Sequence, residues 1–187
     1  MKIKLGELAA LSTGYYTKPA QPEEVVYVQG RDLVQSVVLK DDLSPSVPMD
    51  DRLTKHLLKS GDVLISSKGS SFPCAVWRGT VKAVASTQFL VIDLNTQNLI
   101  PEFLVWYLNT DELQLYLQRN ARGSSMLSLN KSVLEELEIP IPTIQIQESI
   151  VNYYMLSMKE NELQQKLAAL KQNFTEKQLL NLVDNHE

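Results

Sequence analysis

The chain has 187 residues, of which 44% are hydrophobic and 21% charged, with a net charge of −4 and one cysteine. These values exclude a disordered chain and a disulfide-stapled one. No apolar run approaches the roughly 20 residues of a membrane span, and the N-terminal run is too short for a signal peptide. The sequence therefore predicts a cytoplasmic protein that has no contact with a membrane.

The charge is distributed unevenly along the chain. Residues 52–82 contain six basic residues and one acidic residue, a local net charge of +5, whereas residues 132–187 have a net charge of −5. Because an electrostatic field depends on local charge, the acidic total does not exclude an anionic partner such as DNA. Charge clusters of this size also occur on ordinary solvated faces, so the basic segment leaves both interpretations open.

Short runs of β-branched and aromatic residues dominate the first 95 residues and predict a β-rich region. The runs are 25–28, 37–39, 63–65, 75–77 and 89–92. One short helix is expected to interrupt them, with Asp50 or Asp51 as its cap and Gly61 after its end. Leu53, Leu57 and Leu58 would form its inner face.

Beyond residue 100 the spacing becomes helical. Pro101 suits the first position of a helix, and Asn109 with Glu112 has the spacing of a capping box before a second helix. A polar loop at Gly123 and a short helix beginning near Ser128 or Asn130 follow.

Alternating prolines in Ile139-Pro140-Ile141-Pro142 forbid a helix and predict the boundary between two parts, residues 1–142 and 143–187. From about Gln145 to Val183 neither glycine nor proline occurs, so one long helix is expected. Its apolar residues recur every three or four positions, with Glu160 in one gap, as in a coiled-coil seam. The seam residues are Leu156, Leu163, Leu167, Leu170 and Phe174. A helix of roughly 58 Å is too long to bury one face on a small domain, which predicts a partner helix rather than a helix folded back on its own domain.

No catalytic constellation is visible in the sequence. The two histidines are His56 and His186, and Cys74 is expected to lie in the core rather than to form a thiol–imidazole pair with His56. The sequence shows no cluster of metal ligands, no phosphate-binding glycine loop and no glycine-rich cofactor fingerprint. It therefore predicts a non-enzymatic protein without a metal or cofactor.

Five stretches, in order, resemble the specificity subunits of type I restriction-modification systems. They are KIKLGEL at 2–8, VYVQGRDL at 26–33, LKSGDVLISSKG at 58–69, AVASTQ at 83–88, and IPIP at 139–142 followed by QIQE at 145–148. Each stretch is short, but their order and spacing match the family along nearly the whole chain. The resemblance implies an α/β (α+β) target-recognition domain with a β-rich core, followed by a long C-terminal coiled-coil helix.

The resemblance also implies a function. It implies a non-catalytic subunit that binds a specific sequence in double-stranded DNA, and directs adenine methylation by a modification subunit and cleavage by a motor-nuclease restriction subunit. Family members usually carry two recognition domains and two helices, whereas this sequence contains one of each. Two copies are therefore expected to form a homodimer through their helices and to read a symmetric site.

Two alternative functions remain open at this stage. One is a truncated accessory chain that pairs with a full-length specificity subunit and modifies its recognition. The other is an enzyme with an unrecognised site.

The candidate DNA contacts lie in and around two polar loops, 66–72 and 119–128. Lysines and arginines suit phosphates, arginine also matches guanine, glutamine matches adenine, and glycine lets the backbone approach closely. The predicted contacts are Ser66, Ser67, Lys68, Gly69, Ser70, Ser71, Arg78, Gln88, Arg119, Arg122, Ser124, Ser125 and Lys131. Lys82 also suits phosphate anchoring, whereas Gln29 and Arg31 are weaker candidates because they could be strand-end residues that face the core. For Tyr15 and Tyr16 the sequence leaves a DNA contact and a core position equally open. Four aromatic residues are expected in the core instead of on a single-strand stacking platform: Trp77, Phe103, Trp106 and Tyr107.

Overall fold

The structure, a computed structural model, describes residues 1–34, 38–40 and 42–184. The strands are β1 (Lys2–Lys4), β2 (Ala9–Thr13), β3 (Val25–Val28), β4 (Leu33–Val34), β5 (Val38–Leu39), β6 (Pro45–Val47), β7 (Val63–Ser66), β8 (Cys74–Val76), β9 (Ala83–Ala85), β10 (Phe89–Leu94) and β11 (Glu138–Pro140). The helices are α1 (Leu5–Leu8), α2 (Pro101–Leu108), α3 (Asp111–Asn120), α4 (Lys131–Glu135) and α5 (Ile144–Asp184). Val37, in one predicted strand, and His186 lie outside the described residues.

Two sheets form the core of the fold. One is antiparallel with the order β2-β10-β7-β8, and the other has the order β6-β3-β9, in which β3 and β9 are parallel. Alternate residues of both sheets share one buried apolar cluster, as Val26 and Ala85 do with Leu64 and Val91. The two sheets therefore pack face to face, and the mixed α/β architecture with its long C-terminal helix is the predicted fold class.

The bulky apolar runs at 25–28, 63–65, 75–77 and 89–92 form β3, β7, β8 and β10, as predicted. Strands β2, β6 and β9 were not predicted. Their sequences, AALST, PSV and AVA, are short or rich in alanine and serine, so tertiary pairing rather than propensity makes them strands. Pro45 begins β6, which lies at the edge of its sheet.

The sequence predicts two helix caps, of which the structure confirms one. Asp50 does cap its turn, because its Oδ1 accepts the Leu53 N–H at 2.8 Å, although the turn is a 3-10 helix. The capping box of Asn109 and Glu112 was wrong, since Thr110 precedes α3. The Asn109 side chain instead accepts the Cys74 N–H at 3.2 Å and donates to the Cys74 carbonyl at 2.9 Å, which joins α2 to β8.

The chain divides into two compact units, Met1–Glu148 and a second one that begins at Ser149. The first unit includes the beginning of α5 because Gln147 is fully buried there. Its amide donates to the carbonyls of Asn98 and Pro142 and accepts the Ile100 N–H at 2.9 Å. The predicted functional boundary at 142/143 stays a prediction, since compactness does not say which residues carry out recognition.

None of the described helices is both long and apolar enough to cross a bilayer.

Candidate nucleic-acid interface

The four-stranded sheet has two ends that differ in the residues they present. Strand pairing places Thr13 opposite Leu90, Ser66 opposite Phe89, and Ile65 opposite Cys74. The segments that follow Ser66 and precede Cys74 and Phe89 therefore leave the sheet together. We call this the loop end, and we call the end that holds Val63 and Val76 the far end.

The two polar loops singled out in the sequence are joined to each other at the loop end. The Leu129 N–H donates to the Ser67 carbonyl at 2.8 Å, and the Gly69 N–H donates to the Leu127 carbonyl at 3.1 Å. Both bonds connect main chain to main chain. Residues 66–72 and 122–129 therefore form one surface, which we call the joined loops.

Residues 122–128 of the joined loops form a tight hairpin. Arg122 and Ser128 exchange two main-chain hydrogen bonds, of 3.0 and 2.6 Å. Gly123 has a φ of +115°, and a Cβ on it would lie 2.2 Å from the Met126 carbonyl oxygen, so the turn requires glycine. The exposed tip of the hairpin consists of Ser124, Ser125 and Met126.

Ser67 holds the joined loops to the sheet. It is buried, its N–H donates to the Gln88 carbonyl at 2.7 Å, and its hydroxyl donates to the same oxygen at 3.0 Å. The Gln88 side chain is exposed, and its Oε1 accepts the Gly30 N–H at 2.9 Å. Gln88 therefore lies at the loop end, whereas Ser67 supports this surface from below.

The loop end presents cations that have no acidic partner among the described residues. Lys68, Arg119 and Arg122 are exposed and belong to none of the ion pairs there. Ser128 pairs with Lys68 on one side and with Arg122 on the other, which puts the two cationic residues about two strand spacings, roughly 10 Å, apart. Lys131, at the start of α4, forms an ion pair with Glu135 at 3.3 Å.

The remaining predicted contacts of the first loop are small and polar. Ser66 closes β7 and donates its hydroxyl to the Lys68 carbonyl at 3.1 Å. Gly69 has a φ of +135°, and Ser70 and Ser71 beside it are exposed. This arrangement leaves main chain and short hydroxyl side chains accessible next to Lys68.

Arg78 does not join the other predicted contacts. It follows β8 at the far end, where its guanidinium donates to Glu102 through Nε at 2.8 Å and also through Nη2. Lys59 lies at the same end, and a hydrogen bond from its ammonium group to the Asp93 carboxylate raises the Lys59 pKa. The basic segment 52–82 is therefore not one face, because Lys68 lies at the loop end whereas Lys59 and Arg78 lie at the far end.

The family model for the type I restriction modification DNA specificity domain matches residues 1–180. The chain belongs to this family.

The specificity domain is also similar to solved structures. The sequence identities are low, so these matches show a shared fold and nothing more. A chain from a study of complex assembly and conformational transition of the type I R-M system is 21% identical with a TM-score of 0.60. The HsdS subunit from Thermoanaerobacter tengcongensis is 21% identical with a TM-score of 0.57, and the type I S subunit from M. genitalium is 18% identical with a TM-score of 0.56. The matches cover 92%, 92% and 87% of this chain but only 40%, 39% and 40% of those chains. A comparison with curated protein sequences finds no match.

The remaining residues considered for DNA contact are divided between exposed and packed positions. Tyr16 is exposed, whereas the Tyr15 ring packs against His56 at a centroid distance of 4.8 Å. The Gln29 N–H donates to the Asp32 carboxylate at 2.8 Å in the 3-10 turn that follows it, and Arg31 is exposed in that turn beside Gly30. Of the four aromatic residues predicted in the core, Trp77 and Phe103 are buried and the rings of Trp106 and Tyr107 pack near Phe103.

Cys74 is a core residue, as predicted. It is fully buried, and its thiol donates to the Val105 carbonyl at 3.7 Å. Burial raises the pKa of this thiol, so the reactive thiolate is disfavoured. In the part of the chain that the structure describes, no group of three or more His, Cys, Asp or Glu residues is placed to hold a metal ion.

The second unit presents a separate apolar surface along α5. Its seam residues are all more than half exposed: Leu156, Leu163, Leu167, Leu170 and Phe174. Such a stripe on a long helix is typical of a helix that pairs with another helix.

Sequence reasoning missed Met126 at the tip of the hairpin, where its side chain is 61% exposed. A single apolar residue in a serine-rich loop was the available signal.

Proposed function

We propose that the loop end of this specificity domain reads a base sequence in double-stranded DNA. The observation that carries the proposal is the union of two distant polar loops by main-chain hydrogen bonds. This union brings Lys68 and Arg122, which no described carboxylate neutralises, onto one surface. A cationic surface with fixed polar groups suits the phosphate backbone and the base edges together.

The contacts proposed in the joined loops and in the helices beside them divide by type. Lys68 and Arg119 suit phosphates, as does Lys131 once it releases Glu135, whereas Arg122 at the base of the hairpin has the donor fork that matches guanine O6 and N7. Gln88 suits adenine, although its Oε1 must first release the Gly30 N–H. Met126 adds an apolar contact of the kind that recognises the thymine methyl group.

The tip serines complete this set without adding charge. Ser124 and Ser125 each offer a hydroxyl that donates and accepts, so they suit a phosphate or any base edge. Arg78 and Ser67 are not part of the proposed contact surface, since one is ion-paired at the far end and the other is buried.

We further propose that the chain works as a non-catalytic specificity subunit in the cytoplasm. A modification subunit would methylate adenine at the site it selects, and a restriction subunit would cleave DNA. The exposed seam of α5 supports pairing with a second copy, which would supply two recognition domains for a symmetric target.

The test is selection of bound duplexes from a random library by the purified chain, followed by titration of the selected duplex at several salt concentrations. We expect one enriched sequence and a log–log salt slope of about −0.9 for each phosphate contact. Salt-dependent binding without any enriched sequence would contradict sequence reading by the loop end.

A further inference from the structure

Two charged residues interrupt the apolar seam of α5. The seam positions, spaced by three and four residues, extend from Tyr153 through Phe174 to residue 177. Among them, Glu160 and Lys177 carry charge. In the described chain the Glu160 carboxylate accepts a hydrogen bond from Gln164 at 3.2 Å, and Lys177 belongs to no described ion pair.

Parallel pairing of two copies would bring like charges together. In an in-register parallel coiled coil each seam residue lies opposite itself, so Glu160 would face the partner's Glu160 and Lys177 the partner's Lys177. The flanking positions would add Lys166 beside the partner's Lys171. Each of these contacts is repulsive.

Antiparallel pairing has one register that removes all three repulsions. In this register the residue numbers of two facing seam residues, one from each copy, add up to about 337. Glu160 then lies opposite the partner's Lys177, and the same contact recurs on the other side of the twofold axis. The layers between them are apolar, with Leu163 against the partner's Phe174.

The positions that flank this antiparallel seam are also compatible. Gln164 would lie beside the partner's Lys171, and Lys166 beside the partner's Asn173. Neither contact brings like charges together.

Shifting the antiparallel register by one heptad, so that the numbers of facing residues add up to about 330, destroys this match. Glu160 would then face the partner's Leu170, and Lys177 would face the partner's Tyr153. A charge placed against an apolar side chain in a seam loses hydration without gaining an opposite charge. The charges therefore distinguish between registers as well as between directions.

We propose that Glu160 and Lys177 fix the direction and register of α5 pairing with a second copy, which is antiparallel with each Glu160 against the partner's Lys177. The inference rests on the homodimer in the proposed function. It adds which residues select the partner and exclude the other alignments, a role that polar seam positions have in coiled coils.

The first test is charge reversal in the whole chain, with the dimer dissociation constant measured by sedimentation equilibrium. Glu160→Lys alone and Lys177→Glu alone each create two like-charge contacts, and we expect about tenfold or greater weakening of the dimer. The double variant restores opposite charges and should return to within about threefold of the wild-type value. Glu176→Lys is the matched control, because it makes the same charge change outside the seam and should leave the dimer unchanged.

The second test measures direction. A nitroxide label on Met155→Cys reports the distance between the two copies, because Met155 is exposed outside the seam whereas Cys74 is buried. Antiparallel pairing predicts labels roughly 40 Å apart, the rise of about 27 residues, and parallel pairing predicts less than about 20 Å.

The outcomes separate the two proposals. A wild-type dimer with close labels, or one that single charge reversals leave unchanged, would overturn the register and retain the homodimer. A monomeric wild-type chain would overturn both, and it would leave DNA recognition by the loop end to its own experiment.

Discussion

The two ends of the four-stranded sheet use the same kinds of residue for different purposes. At the far end Arg78 is held by Glu102 and Lys59 by Asp93, whereas at the loop end Lys68 and Arg122 form no ion pair within the described ranges. Lys59, Lys68 and Arg78 belong to one basic segment of the sequence. The β7–β8 hairpin separates them, because it carries the chain from one end of the sheet to the other and back.

The comparison shows that neighbouring carboxylates, more than position in the sequence, decide whether a cationic side chain is free to bind an anion. An arginine that already donates to a carboxylate has much of its charge neutralised and part of its donor fork occupied, so it attracts a phosphate weakly. An unpaired lysine or arginine keeps its full charge, and its field extends into solvent until salt screens it. Substitutions at the far end therefore serve as controls for the same kinds of substitution at the loop end.

The strongest test of this comparison removes two cations from one end at a time. Lys68→Ala with Arg122→Ala should weaken binding of the selected duplex by about 100-fold or more, because a base contact and a phosphate contact are both lost. Lys59→Ala with Arg78→Ala removes the same total charge and should change affinity by no more than about twofold. Fluorescence anisotropy at fixed salt measures both, and equal losses would mean that net charge alone drives binding.

A smaller effect is expected from the backbone of the hairpin. Gly123→Ala forces a Cβ into a positive-φ position and against the Met126 carbonyl, so the tip must move, and we expect about tenfold weaker DNA binding. Gly61→Ala is its counterpart at the far end, where φ is +101° and the nearest atom is 3.8 Å away. It should lower the melting temperature through strain and leave affinity intact. If both variants bind DNA normally, the tip does not contact the duplex.

The smallest effect concerns Asp62, a buried carboxylate near the far end that accepts the Lys59 N–H at 2.8 Å. Desolvation raises its pKa above the ordinary value of 3.8, so the ionised form destabilises the folded state at neutral pH. Asp62→Asn should therefore raise the melting temperature at pH 7 by at most about 4 °C, with DNA affinity unchanged. The gain should shrink as pH falls through the raised pKa of the folded state and disappear below 3.8, where the wild-type carboxyl is protonated in both states. Calorimetry across pH checks this, and a less stable variant at pH 7 would show that the Lys59 hydrogen bond outweighs desolvation.

The sequence alone predicts the fold class and the long helix of this specificity domain because both depend on patterns of side chains. Bulky apolar runs locate β3, β7, β8 and β10, and the absence of glycine and proline locates α5. Strands β2 and β9 escape prediction because small residues become strands only when neighbours pair with them.

The candidate surface is predicted in part, for a similar reason. Both polar loops are visible in the sequence, but the bonds that unite them are main chain to main chain and leave no side-chain signature. The position of Arg78 depends on strand pairing, and the burial of Ser67 depends on where residue 88 lies, so neither follows from local sequence. Strand pairing therefore decides which cations of the basic segment form ion pairs at the far end and which lie at the loop end.

The main-chain bracing of the joined loops has an evolutionary consequence. The bonds between Ser67 and Leu129, between Gly69 and Leu127, and between Arg122 and Ser128 use peptide groups. Apart from the glycines that the positive φ angles at 69 and 123 favour, these bonds do not depend on the side chains. Side chains at the exposed positions between them can therefore be exchanged while the frame keeps its shape. A protein that must acquire new targets faster than it can acquire a new fold benefits from this separation. The exposed side chains of such a protein can change by point mutation, while the main-chain frame that positions them is inherited unchanged.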